Sequence, residues 1–65
     1  LDPEEKMILQ YLSTHGGKAF QSELLTALPI PKTTLWRNVM SLQEKGYVNV
    51  TKVGGLNLVT LSKKA

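Results

Sequence analysis

Three observations predict an α+β fold, three helices followed by a β-hairpin, for this chain of 65 residues. Apolar residues recur at helical spacing in three segments, each bounded by a capping residue, a glycine or a proline. Two β-branched segments flank Gly54-Gly55, the signature of a two-residue hairpin loop. The length allows one core and no second, since a domain this small buries only about 60% of its unfolded surface.

The elements follow in order. Asp2-Pro3-Glu4-Glu5 has an N-cap residue type, proline at the first helical position and glutamate three residues after the cap, so a helix starts there. Ile8, Leu9 and Leu12 form its apolar stripe, flanked by Met7 and Tyr11, and the pattern stops at Ser13-Thr14-His15-Gly16-Gly17. Lys18-Ala19-Phe20 is too short for an independent strand but long enough to add an edge to a later hairpin. Gln21-Ser22-Glu23 opens a second, short helix with Leu24, Leu25 and Leu28 facing inward, and Pro29 ends it. Leu28-Pro29-Ile30-Pro31 is a turn, because two prolines remove two donors and push the residue before each toward extended conformations. A third helix runs from Pro31 or Lys32 to Lys45, with Leu35, Val39 and Leu42 as its core stripe and Gly46 just past its end. Tyr47 to Lys52 and Leu56 to Leu61 make the hairpin, and residues 62–65 read as a tail.

Composition narrows the function classes. With 42% hydrophobic residues, mostly aliphatic, the chain has the means to fold. It has no cysteine, so neither a disulfide nor a thiolate metal site holds it, as a reducing interior permits. No apolar run approaches the roughly 20 residues of a membrane span, and the acidic first residues are unlike a signal peptide. The expectation is a soluble, cytoplasmic segment without membrane contact, a single domain over residues 1–65; its start at Leu1 fits a piece excised from a longer chain. Net charge is +3, and from Lys32 onward six basic residues (Lys32, Arg37, Lys45, Lys52, Lys63, Lys64) face one acid, Glu44. That asymmetry points to a polyanionic partner for the second half. Catalysis is not expected: His15 is the sole histidine and has no nucleophile pair or zinc set around it, so a helix C-cap or loop role fits it better. Glu4 and Glu5 read as first-turn partners of the helix dipole rather than as a catalytic pair. Neither a metal nor a cofactor is expected.

Three helices, then a hairpin, with a tight turn between the second and third helices, is the order of a winged helix-turn-helix: a three-helix bundle plus a C-terminal β-hairpin wing. The stretch from Ser22 to Val48 also resembles, without a gap, the helix-turn-helix of MarR-type and IclR-type regulators. The matching residues are Ser22-Glu23-Leu24, Ile30-Pro31-Lys32-Thr33-Thr34-Leu35, Arg37, Val39, Leu42 and Glu44-Lys45-Gly46-Tyr47-Val48. The Ile30-Pro31-Lys32 step with Thr34 looks more like the IclR type, and the small size is similar to modules attached to archaeal regulators. With the first helix and the wing, the likeness covers nearly the whole chain. It implies sequence-specific binding of double-stranded DNA by a transcriptional regulator, with helix 32–45 as the recognition helix in the major groove, and commonly a homodimer on palindromic half-sites. No long dimerisation helix is visible in the segment. The sequence departs from the pattern at Pro29, where a turn glycine is usual, and at Leu25, where a small alanine usually lets two helices approach.

On a helical wheel, Thr33, Arg37, Met40 and Glu44 lie opposite the Leu35, Val39 and Leu42 stripe. Lys32, Trp36 and Gln43 lie along one border; Thr34, Asn38 and Ser41 lie toward the other. Recognition helices present their first turns to the bases, so Lys32, Thr33, Trp36 and Arg37 are the groove-facing candidates. Arg37 suits a guanine edge or a phosphate, against the alternative of a solvated arginine. Lys32 and Thr34 suit phosphate contacts at the helix start, although Thr34 equally suits a local cap. Trp36 is placed for partial burial against the turn as well as for stacking on a sugar or contact with a thymine methyl. In the wing, Lys52 is the cation near a tip whose Gly54 and Gly55 allow close approach to the minor groove. The alternative function is a winged-helix protein-interaction module using Trp36, Met40, Val53 and Leu56, with Leu56 also suited to a dimer contact. Lys63 and Lys64 suit phosphates or plain solvation.

Overall fold

Pro3–Thr14 forms the first helix, α1, in the computed structural model, which describes residues 1–62. Its start is the expected one: Asp2 is the extended N-cap, and Glu5 reaches back to accept the Asp2 backbone N–H at 2.9 Å. Ile8 and Leu12 are fully buried, with Met7, Leu9 and Tyr11 packed around them. His15 is the exposed C-cap; its ring stacks on Tyr11 and its Nδ1 donates to the Tyr11 carbonyl at 2.8 Å.

The short strand β1 (Lys18–Phe20) leads directly into α2 (Gln21–Ala27), of which Leu24 is fully buried while Leu25 and Leu28 are half-buried. The turn that follows is rebuilt around Pro29. Ile30 N–H donates to the Leu28 carbonyl at 2.9 Å, closing a three-residue turn, and no non-glycine residue among those described adopts a positive φ. Pro31 then caps α3 (Lys32–Glu44).

The end of α3 takes its shape from Gly46. At φ +88° it lets Tyr47 N–H bond the Leu42 carbonyl and its own N–H bond that of Gln43, the two bonds of a Schellman motif. Lys45 is thus a cap, one residue beyond the helix. Because the Tyr47 donor is consumed there, β2 begins at Val48 and runs to Val53. Gly54 and Gly55, at φ +58° and +81°, supply the primed turn that matches strand twist, and β3 (Leu56–Leu61) returns.

The sheet order is β1-β3-β2, all antiparallel, so the short first strand does add an edge to the hairpin. Register sets Ala19 and Val50 against Val59, and Val48 against Leu61, on the face turned toward the helices, where Ala19, Val48 and Val59 join Ile8, Leu12, Leu24, Leu35, Val39 and Leu42 in one core. The opposite face carries Phe20, Leu58 and the Val53–Leu56 pair. This is the expected winged helix-turn-helix. Among the described residues no helix is long and apolar enough to cross a membrane.

Candidate nucleic-acid interface

The first two turns of α3 carry the candidate side chains because the opposite side of the helix is committed to the core through Leu35, Val39 and Leu42. Lys32, Thr33 and Arg37 are exposed or half-exposed along it, and Trp36 is half-buried against the core. Lys32, Thr33 and Trp36 line one open recess together with Gln21 of α2 and Asn57 of β3. A second recess, between the start of α2 and the wing tip, is lined by Lys32, Leu25, Gly55 and Leu56 among others. Lys32, the first residue of α3, therefore stands between that helix and the wing. Arg37 lies one helical turn from Thr33, on the same outward face.

Lys52, Gly54 and Gly55 are exposed, and Lys52 sits opposite Asn57 on the helix-facing side of the hairpin. Thr34 is apart from this group: it is half-buried, lines neither recess, and its carbonyl accepts the Asn38 side-chain amide at 3.0 Å. Its hydroxyl makes no capping bond among the described residues, since Pro31 is the cap.

Three expectations are corrected. Met40 is half-buried and packs against the core instead of facing solvent, and Asn38, placed at a border, is 8% exposed. Both follow from α3 packing on α1 at one side and β2 at another, which widens its buried arc beyond a single stripe. Glu5 is more than a dipole partner. It is 1% exposed, and Lys45 reaches it with Nζ 3.1 and 3.2 Å from its two carboxylate oxygens. The Asp2 backbone N–H, the Ser41 side chain and Lys45 together hold its pKa down at about 2, outweighing desolvation. Lys45 is consequently engaged within the fold. Lys63 and Lys64 lie outside the described residues.

What remains at the first two turns of α3 is positive charge. Between Glu23 and the C-terminus the only acid is Glu44, at the far end of α3 from Lys32, and Glu23 is turned to Tyr11, whose hydroxyl donates to it at 2.6 Å. That bond, with some desolvation, pushes the Tyr11 pKa up. No group of three or more potential metal ligands occurs among the described residues.

Sequence reasoning missed Gln21, Gln43 and Asn57. Asn57 Nδ2 donates to Gln21 Oε1 at 2.9 Å across 36 residues of sequence, and Gln43 Oε1 accepts the Val50 backbone N–H at 2.8 Å. No local pattern announces such pairs.

Two solved structures share this architecture. One is the crystal structure of AF1382 from Archaeoglobus fulgidus, with a TM-score of 0.76 and 20% identity, over 94% of this chain and 67% of that one. The other is an ArsR family transcriptional regulator, RHA00566, with a TM-score of 0.81 and 24% identity, over 97% of this chain and 63% of that one. At these identities the likeness is one of fold, and the chain spans only about two thirds of each neighbour. No curated protein matches the sequence. Residues 1–62 match the family described as a domain of unknown function, DUF7343, and the chain belongs to that family.

Proposed function

We propose that this domain is a sequence-specific, double-stranded-DNA-binding module of a cytoplasmic transcriptional regulator, not an enzyme, with α3 as the recognition helix in the major groove. The observation that carries the reading is the surface at the first two turns of α3, where Lys32, Thr33 and Arg37 stand beside a wing face bearing Lys52 and the one acid of the helix, Glu44, is at its far end. In this reading Arg37 and Thr33 address base edges, and Lys32 meets a phosphate, helped by the free backbone donors of the first turn. Trp36 supports the helix through its buried part and offers its exposed edge to a sugar or a thymine methyl. Thr34 serves the helix start and reaches phosphate only at the margin. Lys52 contacts backbone phosphate, while Gly54 and Gly55 let the wing tip come close to the minor groove. The Ile30-Pro31-Lys32 step favours an IclR-like reading within the wider class of winged-helix regulators, with a homodimer on palindromic half-sites as the binding unit.

Salt dependence tests this directly. Each phosphate neutralised steepens the fall of log affinity with log salt by roughly 0.9, so three cations give a slope near −2 to −3. Fluorescence anisotropy with mixed duplex DNA reads that slope, and an absence of salt-sensitive binding at low ionic strength overturns the proposal. A protein-interaction role retains less support. Trp36 and Met40 are half-buried, which leaves Val53 and Leu56, 47% and 53% exposed, as the open apolar residues of the four.

A further inference from the structure

The hairpin outruns the sheet. Phe20, paired with Leu58, is the last residue of β1, so from Lys52 to Asn57 the wing is a two-stranded ribbon with no third strand beside it. Such a ribbon is marginal in water and free to twist unless something holds it. Asn57 provides a hold, because its Nδ2 donates at 2.9 Å to Oε1 of Gln21, the first residue of α2. A second tie lies lower down. The two-residue loop makes Val53 and Leu56 the hydrogen-bonded closing pair, and alternation from there turns Val50 N–H off the free edge of β2, where Gln43 of α3 accepts it at 2.8 Å. Lys52, the wing's cation, lies between these ties and directly across from Asn57 on the same face.

We propose that Asn57, held by Gln21, is a positioning residue that fixes the wing where its cross-strand partner Lys52 meets a DNA phosphate. This rests on the DNA-binding reading above. A lysine on a loose ribbon must give up ribbon motion as well as its own rotamers on binding, whereas the amide pair has already removed the first of these. The amides are neutral, so the pair adds orientation without adding charge. It also ties the wing to the start of α2, in the recess that Lys32, Thr33 and Trp36 line.

The test uses the chain as it stands, with Asn57→Ala, Gln21→Ala, the exchanged pair Gln21→Asn with Asn57→Gln, and Lys52→Gln. Backbone order parameters of Lys52 to Asn57 without DNA should fall in either alanine variant from about 0.85 to below about 0.6. The thermal midpoint should move little. Affinity for mixed duplex DNA should weaken about three- to tenfold, and the salt slope should lose roughly the 0.9 of one phosphate contact. In a Lys52→Gln background, Asn57→Ala should cost less than about twofold more, because the contact it positions is already gone. The exchanged pair should recover wing order and affinity. A wing that stays ordered in Asn57→Ala overturns the proposal. So does a loss of affinity as large with Lys52→Gln as without it, since Asn57 would then touch DNA itself. If the unaltered chain binds no duplex, the DNA-binding reading fails, while loosening of the ribbon in both alanine variants still upholds the tie.

Discussion

Replacing Glu5 with glutamine removes the one buried charge of the described core while keeping its shape. The carboxylate accepts the Asp2 backbone N–H at 2.9 Å and Lys45 Nζ at 3.1 and 3.2 Å, and it is further bonded by the Ser41 side chain. Its pKa is held at about 2, against 4.5 for the ordinary group. A folded pKa below the unfolded one means that the stabilisation is complete above about pH 4.5 and is lost as pH falls toward 2. At about 1.4 kcal/mol per pH unit the full displacement corresponds to about 3 kcal/mol. Lys45 is 46% exposed, so water screens part of that. We therefore expect Glu5→Gln to cost about 1–2 kcal/mol at pH 7. Urea unfolding followed by Trp36 fluorescence, on both proteins at pH 7, 4 and 2, measures the difference directly. It should narrow to below about 0.5 kcal/mol at pH 2, where the wild-type carboxyl is itself half protonated. A difference that is constant across this range, or already absent at pH 7, would refute the reasoning, because the charge of Glu5 would then contribute nothing.

Arg37→Ala is expected to cost roughly 1–3 kcal/mol of DNA affinity at one base position, or to weaken all sequences alike if the guanidinium clamps a phosphate; unchanged binding removes Arg37 from the interface. Leu35→Ala empties a fully buried site and should cost about 2–5 kcal/mol, comparable to the whole stability of a domain this size, so circular dichroism should find it largely unfolded at 25 °C. Leu25→Ala, at a half-buried position, should leave the domain folded, and equal damage from the two would contradict the assignment of the core. Gly46→Ala meets no atom within 4 Å but must hold φ +88°, so its cost should be the backbone strain alone, about 1–2 kcal/mol by denaturant titration.

The helices are legible in the sequence because their signals are local. Ile8 and Leu12, or Leu35, Val39 and Leu42, declare a buried stripe through spacing that depends only on the helix itself. Pro29 likewise excludes a left-handed turn through its own ring, and the chain closes that turn with an Ile30 to Leu28 bond. The misplacements have the opposite character. A wheel drawn for one contact face puts Met40 in water, yet α3 rests on two elements, and only the tertiary arrangement says so. The burial of Glu5 is hidden for the same reason: its capping partner is three residues away and readable, while Lys45 is 40 residues away and is not.

That distant pairing also changes the electrostatics of the candidate interface. Six cations from Lys32 onward suggest a broadly basic half, but Lys45 spends its charge on Glu5, so of these six Lys32, Arg37 and Lys52 are the ones left to the α3 and wing surface within the described residues. Three contacts set a salt slope near −3 at most, at roughly 0.9 for each. A steeper measured slope would have to draw on Lys63 and Lys64 or on the exposed Lys6 and Lys18; in the first case removing Lys63 and Lys64 should bring it back to the value the three supply. If the slope stays steep after their removal, the interface extends beyond the α3 and wing surface, and the assignment of Lys32, Arg37 and Lys52 as its full cationic content is wrong.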